Sequence, residues 1–476
     1  MFGIDEHSAD IGMASLKDVE ELNKALTAGQ AVNKPEVVSA GDGFPLRVES
    51  LENTLRVTTY KMEQIVFWRS LTKIPAYQTV EEYNTLSNYG QNDDSLFVAE
   101  NQTPESEDST YERNYAIVKY MGTRREVTHV MQQIRPAHGN VIAQETVNGT
   151  MHLLKGIEKG LFFADSSLCA LQFDGYHKLI TANAPASNVI DLRGGYLTED
   201  LLCDAANIIF DAPNYGLPNE LYLNPKVKAD LAKTFFPKER HNTFDDKSGV
   251  IGSNITGFEG PTGVIKLKGD VFIQDGGAPN AAPVGDVTKI PGTPSITETL
   301  TSPADATAQF TVDDVGSYFY FVVACNRFGR SISVNCGSGD AAVEVSAGDK
   351  VVTKITPSTS GGAGATEWYE LYRSPKNGAV TTTRLIQRVA NGNGTGVQTL
   401  TDKNETLAGT TTAIMVQNDP EVMAVKQLSP MIKIPLAIVS PAIRWMQLIY
   451  LVPVLYIPGR TVLIKNIGRL TSSYTD

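Results

Sequence analysis

Few residues in this chain have the types and spacing that catalysis or metal binding requires. His177 follows Asp174 by three positions, and a histidine beside a carboxylate could act as a general base. A surface loop is the simpler interpretation of this pair, and no G-x-S-x-G nucleophile motif accompanies it. None of the six histidines is spaced for a metal with another histidine, a cysteine or an aspartate. The sequence therefore predicts no catalytic residue and no metal site.

Glycine-rich stretches could cradle a phosphate, but here they lack the necessary context. The sequence has no G-x-x-x-x-G-K-[ST] phosphate loop, no H-E-x-x-H pair and no EF-hand loop. The glycine clusters at 361–364 and 392–396 lie in a strand-rich region, and no helix pattern follows either of them. We therefore predict that both are loop tips, and we expect no cofactor and no enzymatic activity.

Composition excludes further classes of function. The 476 residues include 53 acidic and 41 basic side chains, for a net charge of -12. This balance argues against a dedicated nucleic-acid binder, which usually carries a basic face, but not against a protein that merely encloses nucleic acid. The first 16 residues lack the long apolar core of a secretory signal, so the expected compartment is the reducing cytoplasm.

The four cysteines form no C-x-x-C pair, which excludes a disulfide scaffold or a zinc site of standard spacing. They are Cys169, Cys203, Cys325 and Cys336. Cys325 and Cys336 are expected on neighbouring strands and could pair, but packing as free thiols is favoured in a reducing compartment.

One apolar segment, residues 434–458, is long enough to suggest a membrane span. Arg444 lies near its middle and four prolines interrupt it, and a mid-span arginine costs roughly 2.5 kcal/mol or more. We predict instead a buried helix or strand followed by a second strand.

Three helices are predicted in the middle of the chain. Residues 141–163 have apolar side chains at steps of three and four, which make one face of a rod roughly 35 Å long. Gly149, Gly156 and Gly160 either weaken this helix or let another chain approach it closely. A second helix is predicted after the N-cap Thr198, and a third runs from Pro225 to near residue 236. Strands are predicted at 220–223, 264–268 and 271–273.

A long extended hairpin is predicted before these helices. Residues 92–113 are polar and acid-rich, and the strand-like runs 115–121 and 125–131 follow, separated by Gly122. Charges at this point could be a solvated strand face or an inter-subunit salt-bridge patch. The candidates for inter-subunit contact are Glu100, Glu105, Glu107, Arg124, Arg125 and Glu126.

Residues 278–418 are rich in threonine, serine, glycine and valine, which predicts a separate all-β domain. Tyr318, Tyr320, Val322 and Ala324 alternate along a predicted strand, as in a fibronectin type III or immunoglobulin sandwich. A second strand is predicted at 368–373, before a tight turn at 377–378. The core pattern resumes near residue 422, so this domain is predicted to be an insertion.

The order of these features resembles the major capsid proteins of tailed bacteriophages with the Hong Kong 97 (HK97) fold. The likeness is strongest to large contractile-tailed phages of the Twort and K type. It covers roughly residues 46–470, and the first 45 residues match least. The stretches that carry it are LRVESLE (46–52), PAYQTVEEY (75–83), FVAE (97–100), DSSL (165–168), FDG (173–175), DLRG (191–194), LTE (197–199), DKNETL (402–407), PLA (435–437) and IKN (464–466).

This resemblance implies an α+β, HK97-like fold with peripheral and axial domains, an extended loop, an N-arm and an inserted immunoglobulin- or fibronectin III-like β domain. The implied segments are an N-terminal arm (1–48), a first peripheral-domain segment (49–91), an extended loop (92–132), a second peripheral-domain segment with the spine helix (133–193), a first axial-domain segment (194–277), the inserted β domain (278–418), a second axial-domain segment (419–452) and a C-terminal peripheral strand and tail (453–476).

The function implied is that of a major capsid protein. Such a chain would assemble with itself as hexamers and pentamers into an icosahedral shell around double-stranded DNA, without binding the DNA specifically and without a membrane. Scaffold, portal and head protease are the implied assembly partners, a decoration protein is possible, and the location is the virion after assembly in the host cytoplasm. Two alternatives are a virion adhesion or decoration protein that binds surface glycans through its β domain, and a carbohydrate-active enzyme with paired carboxylates.

Overall fold

The computed structural model describes residues 59–90, 93–134, 139–239, 255–260, 263–273, 276–302, 306–337, 341–358, 364–437 and 440–470. The chain divides into two compact units. One unit comprises Met1–Thr58 with Val130–Val141, and the predicted N-terminal arm lies outside the described residues. The other unit comprises Thr59–His129 with Ile142–Asp476 and contains the sheets and hydrophobic clusters described below.

The described residues form a mixed α+β structure. Its α-helices are α1 (Phe67–Ser70), α2 (His129–Gln133), α3 (Val141–Phe163), α4 (Tyr176–Asn183), α5 (Glu199–Phe210) and α6 (Pro225–Glu239). Its strands are β1 (Lys73–Pro75), β2 (Val80–Asn88), β3 (Thr110–Ile117), β4 (Lys119–Thr128), β5 (Val189–Asp191), β6 (Glu220–Leu223), β7 (Gly257–Gly260), β8 (Gly263–Gly269), β9 (Val284–Gly285), β10 (Ser295–Ser302), β11 (Gly316–Tyr318), β12 (Tyr320–Asn326), β13 (Gly329–Arg330), β14 (Val334–Asn335), β15 (Val343–Val345), β16 (Lys350–Thr356), β17 (Trp368–Arg373), β18 (Arg384–Ala390), β19 (Gln398–Asp402), β20 (Thr411–Val416), β21 (Met423–Pro435), β22 (Ala442–Leu455) and β23 (Thr461–Ile467).

The predicted helices are confirmed, with one difference in length. Helix α3 spans the expected 23 residues and buries Leu154, Ile157 and Leu161. Helix α5 begins after Thr198, whose hydroxyl accepts the backbone N–H of Leu201 at 3.4 Å. Helix α6 continues to Glu239, past the predicted end near residue 236.

Helix α4 is not predicted by the sequence. The expectation that His177 lies in a surface loop is wrong, since His177 is the second residue of α4. No side chain caps this helix, and only Tyr176 and Ile180 are buried, so its apolar pattern is too short to recognise.

A four-stranded sheet in the order β1-β21-β22-β4 packs on α3. Strands β21 and β22 form a long antiparallel pair, so the apolar segment at 434–458 is largely strand. Trp445, Ile449 and Leu451 of β22 are buried. None of the described helices is long and apolar enough to cross a membrane.

The predicted hairpin between residues 115–121 and 125–131 is wrong. Strand β3 instead pairs with β2, from Val80 opposite Ile117 to Asn88 opposite Thr110. Gly122 lies inside β4, which pairs with β22, and residues 129–131 belong to helix α2. A Cβ at Gly122 would lie 2.4 Å from Cδ2 of Leu448, its partner on β22, so the glycine makes room for this side chain and does not mark a turn.

A six-stranded sheet in the order β5-β23-β20-β6-β8-β7 holds helices α5 and α6 against its apolar face. The predicted strand at 220–223 is β6, and the one at 264–268 falls within β8. Residues 271–273 form a turn, so the strand predicted there is wrong.

Two segments belong to a different sheet from the one expected for the domain that the resemblance assigns to them. Strands β21 and β22 join the sheet of β1 and β4, whereas the resemblance assigns residues 419–452 to the axial domain. Strand β23 joins the six-stranded sheet, whereas the resemblance assigns residues 453–476 to the peripheral domain. Apolar strands of similar composition supply both sheets, so composition does not distinguish their partners.

The strand-rich insertion has its own hydrophobic core, which includes Tyr318, Tyr320, Val322 and Ala324. Two sheets supply most of it: β10-β16-β19, and β18-β17-β12-β13-β9 with β14 beside β12. The expected end near residue 418 is wrong, because β20 already pairs with β6 and β23. The threonine-rich stretch 410–412 resembles the insertion in composition and conceals this change of sheet. Cys325 and Cys336 are buried free thiols.

Candidate assembly surface

The hairpin of β2 and β3 is held firmly at its base. The Glu81 carboxylate accepts the backbone N–H groups of Tyr77 and Gln78 at 2.7 and 2.8 Å, and it pairs with Lys426 Nζ at 2.9 Å. Lys426 lies on β21, and these hydrogen bonds with Lys426 and the backbone lower the pKa of Glu81 despite the opposing effect of desolvation. Tyr83 also packs edge-on against Tyr456 at 5.0 Å between ring centroids. The hairpin base is therefore fixed to the four-stranded sheet.

The hairpin exposes large apolar side chains from this base to its tip. Tyr89 and Phe97 near the tip are 85% and 88% exposed, and Tyr111 and Tyr115 on β3 are 71% and 70% exposed. Tyr111 and Tyr115 lie four positions apart on β3 and so share one face, and a large exposed apolar area often marks an interaction surface. We call this set, Tyr89, Phe97, Tyr111 and Tyr115, the hairpin aromatic surface.

Three of the four acidic candidates lie on this hairpin, whereas Glu126 and both basic candidates lie on β4. Glu100, Glu105 and Glu107 are exposed in the connection between β2 and β3. Arg124 and Glu126 lie on the exposed face of β4 and pair at 3.0 Å, and Arg444 of β22 also pairs with Glu126 at 3.0 Å. Hydrogen bonds from Arg444 and Arg124 hold the pKa of Glu126 below its ordinary value.

Arg125 faces the other side of β4. Its guanidinium pairs with Glu145 of α3 at 3.4 Å, and its side chain contacts the position of Gly149. The structure thus brings Arg124 together with Glu126, and Arg125 together with Glu145. Among the residues that the structure describes, these two arginines pair with Glu126 and Glu145 and not with the hairpin acids.

The glycines of α3 have an explanation within the chain. A Cβ at Gly149 would lie 1.9 Å from Gln447 Oε1, and one at Gly160 would lie 2.9 Å from the Phe173 ring. Gln447 is itself buried and donates to the Thr146 carbonyl at 2.9 Å. These glycines therefore allow α3 to approach β22 and the segment that follows the helix.

Two residues have structural roles that the sequence does not reveal, Glu158 and Arg193. Glu158 on α3 is fully buried, and its carboxyl accepts three backbone N–H groups at the start of α1. Arg193, in the DLRG stretch, reaches into the insertion, where it donates to the Asn404 carbonyl at 2.6 Å and the Gln309 carbonyl at 2.7 Å. The capping role of Glu158 has no local sequence signal, because its partners lie in another segment. The DLRG stretch contributed to the family resemblance, but the resemblance assigns no role to Arg193.

No group of three or more potential metal-binding side chains occurs in the described residues. His177 and Asp174 are close in sequence, but Asp174 pairs with Lys178 at 2.9 Å. The exposed aromatic and charged groups are of the kind that protein–protein contacts use.

No family model matches the chain. The chain is similar in sequence to phage proteins. The major capsid protein of Staphylococcus phage K is 27% identical, over 94% of this chain and 95% of that protein. The putative major capsid protein of Enterococcus phage phiEF24C is 25% identical, over 95% and 96% of the two chains. Among solved structures, the capsid of a native GTA particle is 6% identical and covers 92% of this chain and all of that chain, with a TM-score of 0.45. The relatives confirm the resemblance seen in the sequence, to major capsid proteins of phages of the Twort and K type.

Proposed function

We propose that this chain is the major capsid protein of a tailed bacteriophage and assembles with itself, as hexamers and pentamers, into an icosahedral shell around double-stranded DNA. The observation that carries the proposal is the hairpin aromatic surface. It projects from a fixed base and is largely exposed, so burial against a second molecule would stabilise an assembly. The similarity to major capsid proteins over 94% of the chain supports the same conclusion.

Burial of this surface would contribute a large part of the free energy that association needs. Burying one large apolar side chain contributes roughly 1.5–3 kcal/mol, so the four aromatic side chains could contribute about 6–12 kcal/mol. Association itself costs an estimated 4–15 kcal/mol in lost freedom, so the hairpin needs further contacts from the same interface. A shell supplies them because each subunit meets several neighbours at once.

We also propose a role for each structural layer. The four-stranded sheet with α3 is the peripheral domain, and the six-stranded sheet with α5 and α6 is the axial domain around which hexamers and pentamers form. The hairpin of β2 and β3 is the extended loop, and residues 1–48 are the N-terminal arm. The insertion is an immunoglobulin- or fibronectin III-like sandwich, and its two sheets around one core support this fold. We place it on the outer surface of the shell.

Charged contacts between subunits are a further element of the proposal. Arg124 is available for a neighbour because its side chain is largely exposed, and the hairpin acids Glu105 and Glu107 are suitable partners. Both arginines are paired inside the chain, and Arg125 is the weaker candidate because its side chain is much less exposed than that of Arg124. Scaffold, portal and head protease would take part in assembly, with a decoration protein as a possible addition.

The glycan-binding alternative is not favoured, because the relatives that align with almost the whole chain are named as major capsid proteins. The same relatives are structural proteins, and we propose no enzymatic activity. We place the mature chain in the virion and its assembly in the host cytoplasm.

The proposal is tested by removing the hairpin aromatic surface. A variant with Tyr89→Ser, Tyr111→Ser and Tyr115→Ser should stay folded by circular dichroism but fail to form large particles in sedimentation velocity. The control is Val287→Ser with Val312→Ser, two equally exposed apolar positions in the insertion, and it should assemble like the unmodified chain. Normal particles from the tyrosine variant would remove the hairpin from the interface.

A further inference from the structure

A cavity of about 630 Å³ lies where β4, α3, the segment after α3 and the insertion meet. Its walls are largely apolar and include Met121, Leu153, Phe163 and Phe173. Leu171 lies on its rim and is largely exposed. Cavities of this size accommodate ligands or groups of side chains.

The polar side chains in this cavity are unusual because they are mainly basic. Lys159 of α3 and Arg327 of the insertion line it together with His152, and no carboxylate is among the described lining residues. Burial, followed by repulsion from Lys155, Arg330 and Arg388, lowers the pKa of Lys159. The cavity therefore has an excess of positive charge that an anionic group would relieve.

Nearby carboxylates do not remove this excess. Glu370 is shared by Arg330 and Arg388, at 3.1 Å from each. Glu367 lies 4.0 Å from Arg327 and also accepts its backbone N–H. Two carboxylates thus face the three arginines, and neither makes an ion pair with Lys159 among the described residues.

A segment with complementary chemistry occurs at the hairpin tip. Leu96, Phe97 and Val98 are exposed, and Phe97 is the most exposed of the three. Glu100 follows, is exposed, and pairs with no described residue. The stretch therefore offers one aromatic anchor and one carboxylate close together in sequence.

We propose that this cavity receives residues 96–100 of a second copy of the chain, with Phe97 against the apolar wall and Glu100 facing Lys159 and Arg327. The inference rests on the proposed function and deepens it by naming the surface on which the hairpin tip docks. It also gives the insertion a role in assembly, because Arg327 belongs to the insertion and Lys159 to α3.

Disulfide cross-linking tests the contact directly. The full-length chain would carry Phe97→Cys and Leu171→Cys, with the cavity thiol Cys169 replaced by serine. Oxidation should yield a ladder of covalent multimers on a denaturing gel. The control combines Phe97→Cys with Val312→Cys, an exposed position on the insertion that does not line the cavity, and should give no ladder.

Electron microscopy of the unmodified chain, run in parallel, separates this inference from the proposed function. Shells without a ladder, or a purely intramolecular disulfide, would overturn the docking and leave the capsid function intact. Absence of both shells and ladder would overturn both.

A charge exchange tests the electrostatic component of the docking. Lys159→Glu alone and Glu100→Lys alone should each lower the assembly rate by about tenfold, which corresponds to about 1.4 kcal/mol. The double variant should recover most of that loss, because it restores an opposite pair in reversed order. If the two single losses multiply in the double variant, so that its assembly rate falls about a hundredfold, the pairing of Glu100 with Lys159 is refuted.

Discussion

Replacing Glu158 should destabilise the subunit strongly, because this buried carboxyl organises three backbone groups. It accepts the N–H of Val66 at 2.8 Å, of Phe67 at 2.6 Å and of Trp68 at 2.8 Å. These groups lie at the start of α1, where helical N–H groups have no partner within the helix. Glu158 thus caps a short helix that lies about 90 positions earlier in the chain.

The expected loss follows from the groups left unpaired. In Glu158→Ala, the buried N–H groups of Phe67 and Trp68 lose their acceptor. Each buried unsatisfied donor costs about 1–3 kcal/mol, so the free energy of unfolding should fall by about 2–6 kcal/mol. The matched control is Glu145→Ala on the same helix, which removes a partly exposed ion pair and should cost less than about 1 kcal/mol.

The same carboxyl should also make stability depend on pH. Burial, followed by the neighbouring carboxyl of Asp270, raises the pKa of Glu158 to about 8 from an ordinary value of 4.5. The native state therefore keeps a proton that the unfolded chain releases, and this contribution to stability is complete below pH 4.5 and is lost as the pH rises to about 8. Glu158→Gln cannot ionise, so its stability should fall less over that pH range.

Urea unfolding of dilute, unassembled subunit would measure both effects. Tryptophan fluorescence is a suitable signal because Trp68 is nearly buried and donates one of the three hydrogen bonds. Equal losses for Glu158→Ala and Glu145→Ala at pH 6 would refute the capping role. A pH dependence unchanged in Glu158→Gln would refute the titration.

Two further substitutions test packing at other points. Gly149→Ala should lower the free energy of unfolding by about 1–3 kcal/mol through overpacking against β22, whereas Gly156→Ala on the same helix, with Met121 Cε at 3.4 Å, should be neutral or stabilising by up to about 1 kcal/mol. Equal effects in urea unfolding would contradict the close approach. Arg373→Met should cost about 3–5 kcal/mol and loosen the insertion first, because it leaves the buried Asp402 without its partner at 2.6 Å. Limited proteolysis would show early cleavage within residues 284–402, and a cleavage pattern like that of the unmodified chain would contradict this prediction.

Local patterns were sufficient to predict the helices but not the strand partners. The apolar steps of α3 and the cap at Thr198 are encoded within a few residues. By contrast, β4 pairs with β22, more than 300 positions later, and nothing near Gly122 shows that the strand continues through it. Alternating residues reveal that a strand exists, but its partner is decided by contacts distant in sequence.

The candidate surface was only partly visible in the sequence. The hairpin acids and Arg124 were recognised as candidates from their charge, whereas the separation of Arg124 and Arg125 onto opposite faces required the observed register of β4. The role of Glu158 was hidden because its partners are backbone groups of another segment. The capsid function was first indicated by the family resemblance, which several short stretches carried together, and the hairpin aromatic surface became apparent only in the structure.

Self-assembly of the unmodified chain is the central claim, and electron microscopy of the purified, concentrated protein tests it most directly. The prediction is rings, tubes or closed shells built from repeated copies, with particle masses at multiples of the subunit mass in a parallel mass measurement. Uniform particles of single-subunit mass at every concentration, including under crowding, would contradict it.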